Sequence, residues 1–172
     1  MNAHNFTKAI FASITIMIIM GCSNPRRIKN DETISAATLK NLIDSQNFVF
    51  IPQYVSHMTG PRRNLSSGFE VAVSKDTVIS YLPFFGRGYI APISPSDVDF
   101  DFTSTKFTNT TTTASRGWNV SIKPKDQTYL RELYFKIFDN ASASLNITSI
   151  DRSFISFEGY ITEKKSKAAT KK

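Results

Sequence analysis

The sequence predicts a mainly β domain: a single antiparallel β-barrel or half-barrel of about eight strands, preceded by one short N-terminal helix. Three observations carry this expectation. Apolar and polar residues alternate with period 2 in run after run from Asn47 onward. Turn residues punctuate those runs at a spacing of roughly 8–12 residues, the rhythm of barrels and sandwiches. A single cysteine excludes any internal disulfide, so the domain must be held by its core, and about 140 residues after the signal and linker are enough to build one.

Taken in order, the chain starts with a secretory signal. Lys8 is the only charge before Arg26, and Ala9 to Met20 is apolar apart from Ser13 and Thr15. That run suits a signal core of about 7–15 residues and is shorter than the ~20 residues that span a bilayer. It ends at Ile19-Met20-Gly21-Cys22, which resembles a bacterial lipobox. Residues 1–21 are therefore expected to be a cleaved lipoprotein signal peptide, with Cys22 the lipid-bearing first residue of the mature chain. The chemistry asks for this order: the thiol must reach a lipid donor at the membrane surface, and a small residue before it must fit the peptidase. The alternative is an ordinary signal, or an uncleaved anchor, with a chance cysteine.

Residues 22–30 read as a polar linker, with Pro25 and a basic cluster at Arg26, Arg27 and Lys29. A β-rich domain is expected over residues 31–162. Its first element is a short helix capped by Asp31 or Thr33, with Ile34, Ala37, Leu42 and Ile43 on one face and an end near Ser45-Gln46-Asn47. Strands follow at Asn47–Tyr54, around Phe69, Val71 and Val73, and, after the turn Lys75-Asp76, at Thr77–Leu82. Further strands centre on Val98, Phe100 and Phe102, on Trp118, Val120 and Ile122, on Leu133, Phe135 and Ile137, and on Ala143, Leu145 and Ile147, with a last one at Phe154–Ile161. The threonine run Thr108–Thr113 has good β propensity and suggests a hairpin that extends past the body.

The net charge of +7 is misleading until it is located. Lys8 leaves with the signal, and residues 163–172 hold five lysines and one glutamate, so residues 22–162 carry only +2. Residues 163–172 are expected to be a disordered basic tail, and no nucleic-acid partner is expected.

Catalytic chemistry is sparsely provided for. His57 is the only histidine outside the signal, so the usual zinc, copper and non-haem iron sites and a Ser–His–Asp triad lack their parts. No metal, no other cofactor and no enzyme activity is expected. Asp97, Asp99 and Asp101 fall on one face of a strand, where they could offer calcium hard oxygen ligands. The preferred reading is a solvent face opposite Val98, Phe100 and Phe102.

The candidate binding surface is Leu82-Pro83-Phe84-Phe85-Gly86-Arg87-Gly88-Tyr89. Proline ends a strand because it cannot donate to the ladder, and glycines on either side of Arg87 permit a tight backbone. Phe84, Phe85, Arg87 and Tyr89 are then either a core corner with an outward arginine or an aromatic lip for a ligand or partner.

These residues resemble an uncharacterised Bacteroidetes lipoprotein family, a domain of unknown function marked by a Leu-Pro-Phe/Tyr-Phe-Gly-Arg segment. The likeness also runs through Asn47–Ile51, Gly68–Val73, Asp99-Phe100, Gly117-Trp118, Phe138–Ala143 and Arg152–Gly159. The family pattern places glycine in the Phe-Asp-Asn-Gly turn, where this chain has Ala141. The resemblance implies a barrel-like β domain and carries over no activity or catalytic residue. It implies a host that glycosylates exported proteins at Asp-Ser/Thr-aliphatic sites, which makes Thr77 in Asp76-Thr77-Val78 a candidate. It also implies that acidic residues after the lipidated cysteine would mark surface export. Here that stretch is neutral and then basic, so the expectation is a lipid-anchored protein of the bacterial cell envelope, in the outer membrane and facing the periplasm.

The expected role is a non-enzymatic binding or structural module, with the bilayer as one partner through acylated Cys22 and an envelope protein as the other. The alternative is a lipocalin-like carrier whose barrel holds a small apolar ligand. A filled lumen would favour the first and an open one the second.

Overall fold

In the computed structural model, residues 34–57, 60–85 and 99–164 are described. Helix α1 is Ala36–Asp44. Its cap is Ser35, whose hydroxyl accepts from the Thr38 N–H at 3.1 Å. That corrects the expected caps Asp31 and Thr33: Ser35 has the extended backbone and oxygen that an N-cap needs, one residue before the first turn. The buried face is Leu39 and Ile43, with Leu42 and Ile34 partly covered, while Ala37 is exposed.

Among the described residues ten strands follow: β1 Phe48–His57, β2 Arg63–Asn64, β3 Glu70–Val73, β4 Val78–Leu82, β5 Phe100–Ser104, β6 Phe107–Ala114, β7 Gly117–Pro124, β8 Leu130–Phe138, β9 Ser142–Ser149 and β10 Ile155–Thr162. Nine of them form the path β5-β4-β3-β1-β10-β9-β8-β7-β6, and every neighbouring pair is antiparallel. The short β2 adds to β1 at Tyr54 and Val55.

The two ends of that path, β5 and β6, run in the same direction and are separated only by Thr105 and Lys106. They act as two halves of one kinked strand. The first half pairs with β4 and the second with β7, so the sheet becomes a nearly closed antiparallel barrel. Asp126 holds the kink. Its carboxylate accepts from the Ser104 hydroxyl at 2.5 Å and from the Thr105 and Lys106 N–H groups at 2.9 and 3.1 Å. Those donors keep the Asp126 carboxyl below its ordinary pKa, the Ser104 hydroxyl most and the Thr105 N–H next, despite some desolvation in the other direction.

Period-2 patterning decides what faces inward. Val71, Val73, Phe100, Phe102, Val120, Ile122, Leu133, Phe135, Ile137, Ala143, Leu145, Ile147, Phe157 and Ile161 are all core residues. Phe135 on β8 meets Phe48 and Phe50 on β1 edge to face, at 5.7 and 5.8 Å between ring centres. β8 lies three places around the path from β1, so these rings bridge the lumen. Close aromatic packing of this kind fills a small barrel from within.

Candidate functional site

Three of the four connections at one end of the barrel come together: β4 to β5, β7 to β8, and β9 to β10, while the fourth, β1 to β3, carries β2. Their strands turn at Leu82 and Phe100, at Pro124 and Leu130, and at Ser149 and Ile155. Proline at position 83 ends β4, as its missing N–H requires, and delivers Phe84 and Phe85 to this end.

The two phenylalanines have different surroundings. Phe84 packs against the core, its ring edge-to-face with Phe100 at 5.4 Å, and its N–H donates to Asp99 Oδ1 at 3.1 Å. Phe85 is 41% exposed, with the Arg63 guanidinium 5.8 Å from its ring centre. Neighbours on an extended chain point to opposite sides, so one ring anchors the segment while the other projects. Arg87 and Tyr89 lie outside the described residues, as do Cys22 and Asp97.

The residue that organises this end was not singled out as a site from the sequence. Arg152, on the β9–β10 connection, has only 9% of its side chain exposed. Its guanidinium lies 5.4 Å from the ring centre of Phe84, 5.1 Å from Phe100 and 5.4 Å from Tyr129. It donates to the Asp99 carbonyl at 3.0 Å and, at 3.4 Å, to the Asp151 carboxylate. One side chain therefore joins all three connections. Asp151 in turn accepts from the Ser149 hydroxyl at 2.8 Å, and Ser149 Oγ accepts from the Arg152 N–H at 3.0 Å. A planar, permanently charged guanidinium suits this role, because it can lie over aromatic faces while its edge donates hydrogen bonds. The available signal was indirect: Asp99-Phe100 and Arg152-Ser153-Phe154 both fall in segments that carry the family likeness, but nothing local says that they meet.

The joined connections carry apolar groups into solvent. Phe85 projects from one, and Ile150 and Phe154, 50% and 41% exposed, from another. Beside them Arg62 stacks on Tyr54 at 3.5 Å and pairs with Glu158 at 2.6 Å.

Asp101 is exposed on the outer face of β5, between inward Phe100 and Phe102, whereas Asp99 is engaged by Phe84. Among the described residues no group of three or more His, Cys, Asp or Glu is placed to hold a metal ion. His57 ends β1 against Gly60, with its Nδ1 buried and lacking a hydrogen-bond partner. Thr77 stands half-buried in the β3–β4 turn, where its hydroxyl donates to Asp76 Oδ1 at 3.2 Å and its carbonyl accepts from the Ser74 N–H at 2.8 Å. Thr77 is at the opposite end of the barrel from the Arg152 cluster.

The model of a family described as a domain of unknown function, DUF4251, matches residues 30–161. The fold is similar to the crystal structure of a DUF4251 family protein from Bacteroides eggerthii DSM 20697. The TM-score is 0.57 and the identity 16%, over 77% of this chain and 89% of that one. No curated protein matches the chain.

Proposed function

The chain belongs to the DUF4251 family, whose function is unknown, and on that premise we propose that it is a membrane-anchored envelope lipoprotein acting as a non-enzymatic binding module. It is held by acylated Cys22 in the outer membrane, faces the periplasm, and recognises an envelope protein with the Arg152 end of its barrel.

One observation carries this reading: Phe85, Ile150 and Phe154 are exposed on connections that Arg152 ties together. Exposed aromatic groups on a preorganised support are the common anchors of protein interfaces, because little side-chain or loop entropy is lost when they dock. The lumen bridged by Phe48, Phe50 and Phe135 favours recognition by the surface over carriage of an apolar ligand inside. The neutral-to-basic stretch after Cys22 supports the periplasmic side.

The test has two arms. Metabolic labelling with a fatty-acid analogue should mark the wild type and not Cys22→Ser, since two or three acyl chains give stable anchoring at ~0.8 kcal/mol per buried methylene. Label retained by the mutant overturns the anchor. In the second arm, a partner captured from envelope extract by the wild-type protein should be lost with Phe85→Ser or Arg63→Ala, and undiminished capture by both variants overturns the binding surface.

A further inference from the structure

Away from the Arg152 end, α1 and the β6–β7 hairpin border an open cleft of about 530 Å³, with Lys40, Asp44, Thr111 and Thr113 exposed on its walls. It is lined by Lys40, Ile43, Asp44, Gln46, Thr111, Thr113 and Trp118. Trp118 starts β7, whose far end at Pro124 leads to the Tyr129 connection, so the cleft is at the other mouth of the barrel. Register explains its walls. Thr113 is directly opposite Trp118, and Thr111 opposite Val120, which points into the core. The inner face of the barrel continues along the hairpin past the last core residue, and α1 borders the open space beside it.

The chemistry of the lining changes from apolar to mixed at this point. Trp118 packs partly on the core and presents the remainder of its indole to the cleft. Two hydroxyls, a carboxamide, a carboxylate and an ammonium accompany it. The two charges are paired with each other as Lys40 and Asp44, which leaves no unbalanced charge to attract an ionic ligand.

A second observation comes from the same strand, at a residue below the cleft that does not itself line it. Asn109 lies two residues before Thr111 on the inward face of β6, opposite the buried Ile122. Both its Oδ1 and its Nδ2 are buried without a hydrogen-bond partner. An unsatisfied buried amide is costly, and native proteins keep few of them. Gln46 shows a similar cost in the backbone: it holds φ 54°, a left-handed conformation that glycine adopts without penalty, yet it supplies a carboxamide to the lining.

We infer that this mouth is a binding site for a neutral, hydroxyl-rich ligand of the saccharide class. A sugar ring has one apolar C–H face to lie on Trp118 and a rim of hydroxyls for Thr111, Thr113, Gln46 and the Lys40–Asp44 pair. The volume falls in the ordinary range of small-molecule sites, and barrel mouths are a common place for them. The inference goes beyond the protein-binding surface proposed above and uses none of its residues.

Trp118 is the only tryptophan in the sequence, so its emission reports on this mouth alone. The full chain in detergent is titrated with cellobiose and with N,N′-diacetylchitobiose, and in parallel with glucose phosphate and decanoate. A saturable emission change is expected with at least one of the neutral disaccharides. Thr111→Val and Gln46→Gly should each raise the half-saturating concentration about tenfold, the value of roughly one hydrogen bond. Gln46→Gly also relaxes the left-handed backbone, so its thermal midpoint should hold or rise while binding weakens, which separates a lost contact from a damaged fold. The inference is overturned if neither disaccharide gives a saturable change, if only glucose phosphate or decanoate does, or if both variants bind as the wild type.

Discussion

Replacing Arg152 with alanine should destabilise the barrel by several kcal/mol. Its hydrogen bond to the Asp99 carbonyl is charge-assisted and worth about 1.5–3 kcal/mol. The three rings around it are at 5.1 to 5.4 Å, inside the ~6 Å limit for cation–π attraction. One guanidinium cannot be centred over three faces at once, so the low figure of ~0.5 kcal/mol per ring is the appropriate one. Loss of the buried stem adds to this, for a total of about 3–5 kcal/mol. For a domain of this size 1 kcal/mol moves the thermal midpoint by ~2–4 °C, so Arg152→Ala should lower it by about 10 °C. The assay is thermal unfolding followed by circular dichroism, with urea unfolding as a check on the slope. Arg152→Lys keeps the charge but not the planar fork and should recover less than half of the loss. A double-mutant cycle with Phe84→Ala should show coupling of at least about 0.5 kcal/mol. A midpoint within about 2 °C of wild type for Arg152→Ala, or strict additivity in the cycle, would refute the argument that one side chain holds the three connections together.

Phe84→Ala should cost about 3 kcal/mol by leaving a gap against Phe100, while Phe85→Ala should cost under ~1 kcal/mol, both read from urea midpoints. Asp126 titrates below its ordinary value in the folded state, so its contribution is complete above the unfolded carboxylate value and fades as pH falls through the depressed one. The stability gap between wild type and Asp126→Asn should therefore be constant near neutrality and narrow below pH about 4, as followed by unfolding across a pH series. Ala141 holds φ 64° with its methyl buried. Ala141→Gly removes about 1–2 kcal/mol of left-handed strain but loses a buried methyl worth ~0.8 kcal/mol and adds unfolded-state freedom, so the change should be within about 1 kcal/mol of zero.

Much of the fold was legible in the sequence because β structure writes its inward face into every second residue. Val71 and Val73, Val120 and Ile122, and Leu133, Phe135 and Ile137 are all core positions marked by alternation alone. The rule fails at Val49 and Ala72, which alternate out of the core, face each other across β1 and β3, and are nevertheless buried. It also gave no warning of β2, whose two exposed residues have no pattern to read.

The sequence by itself determined which alternate residues would face inward, since that follows from the geometry of one extended segment, and the short turns between runs pointed to antiparallel pairing. Tertiary structure alone decided who meets whom. The kink at Thr105 and Lys106 depends on a carboxylate about twenty residues away, at Asp126. The cluster at one end depends on Arg152 reaching Asp99, 53 residues earlier. The cleft at the other end depends on α1 lying beside a hairpin near the middle of the chain. The physical reason is that alternation is a property of neighbours, whereas strand order and barrel closure are set by long-range packing that no local window contains.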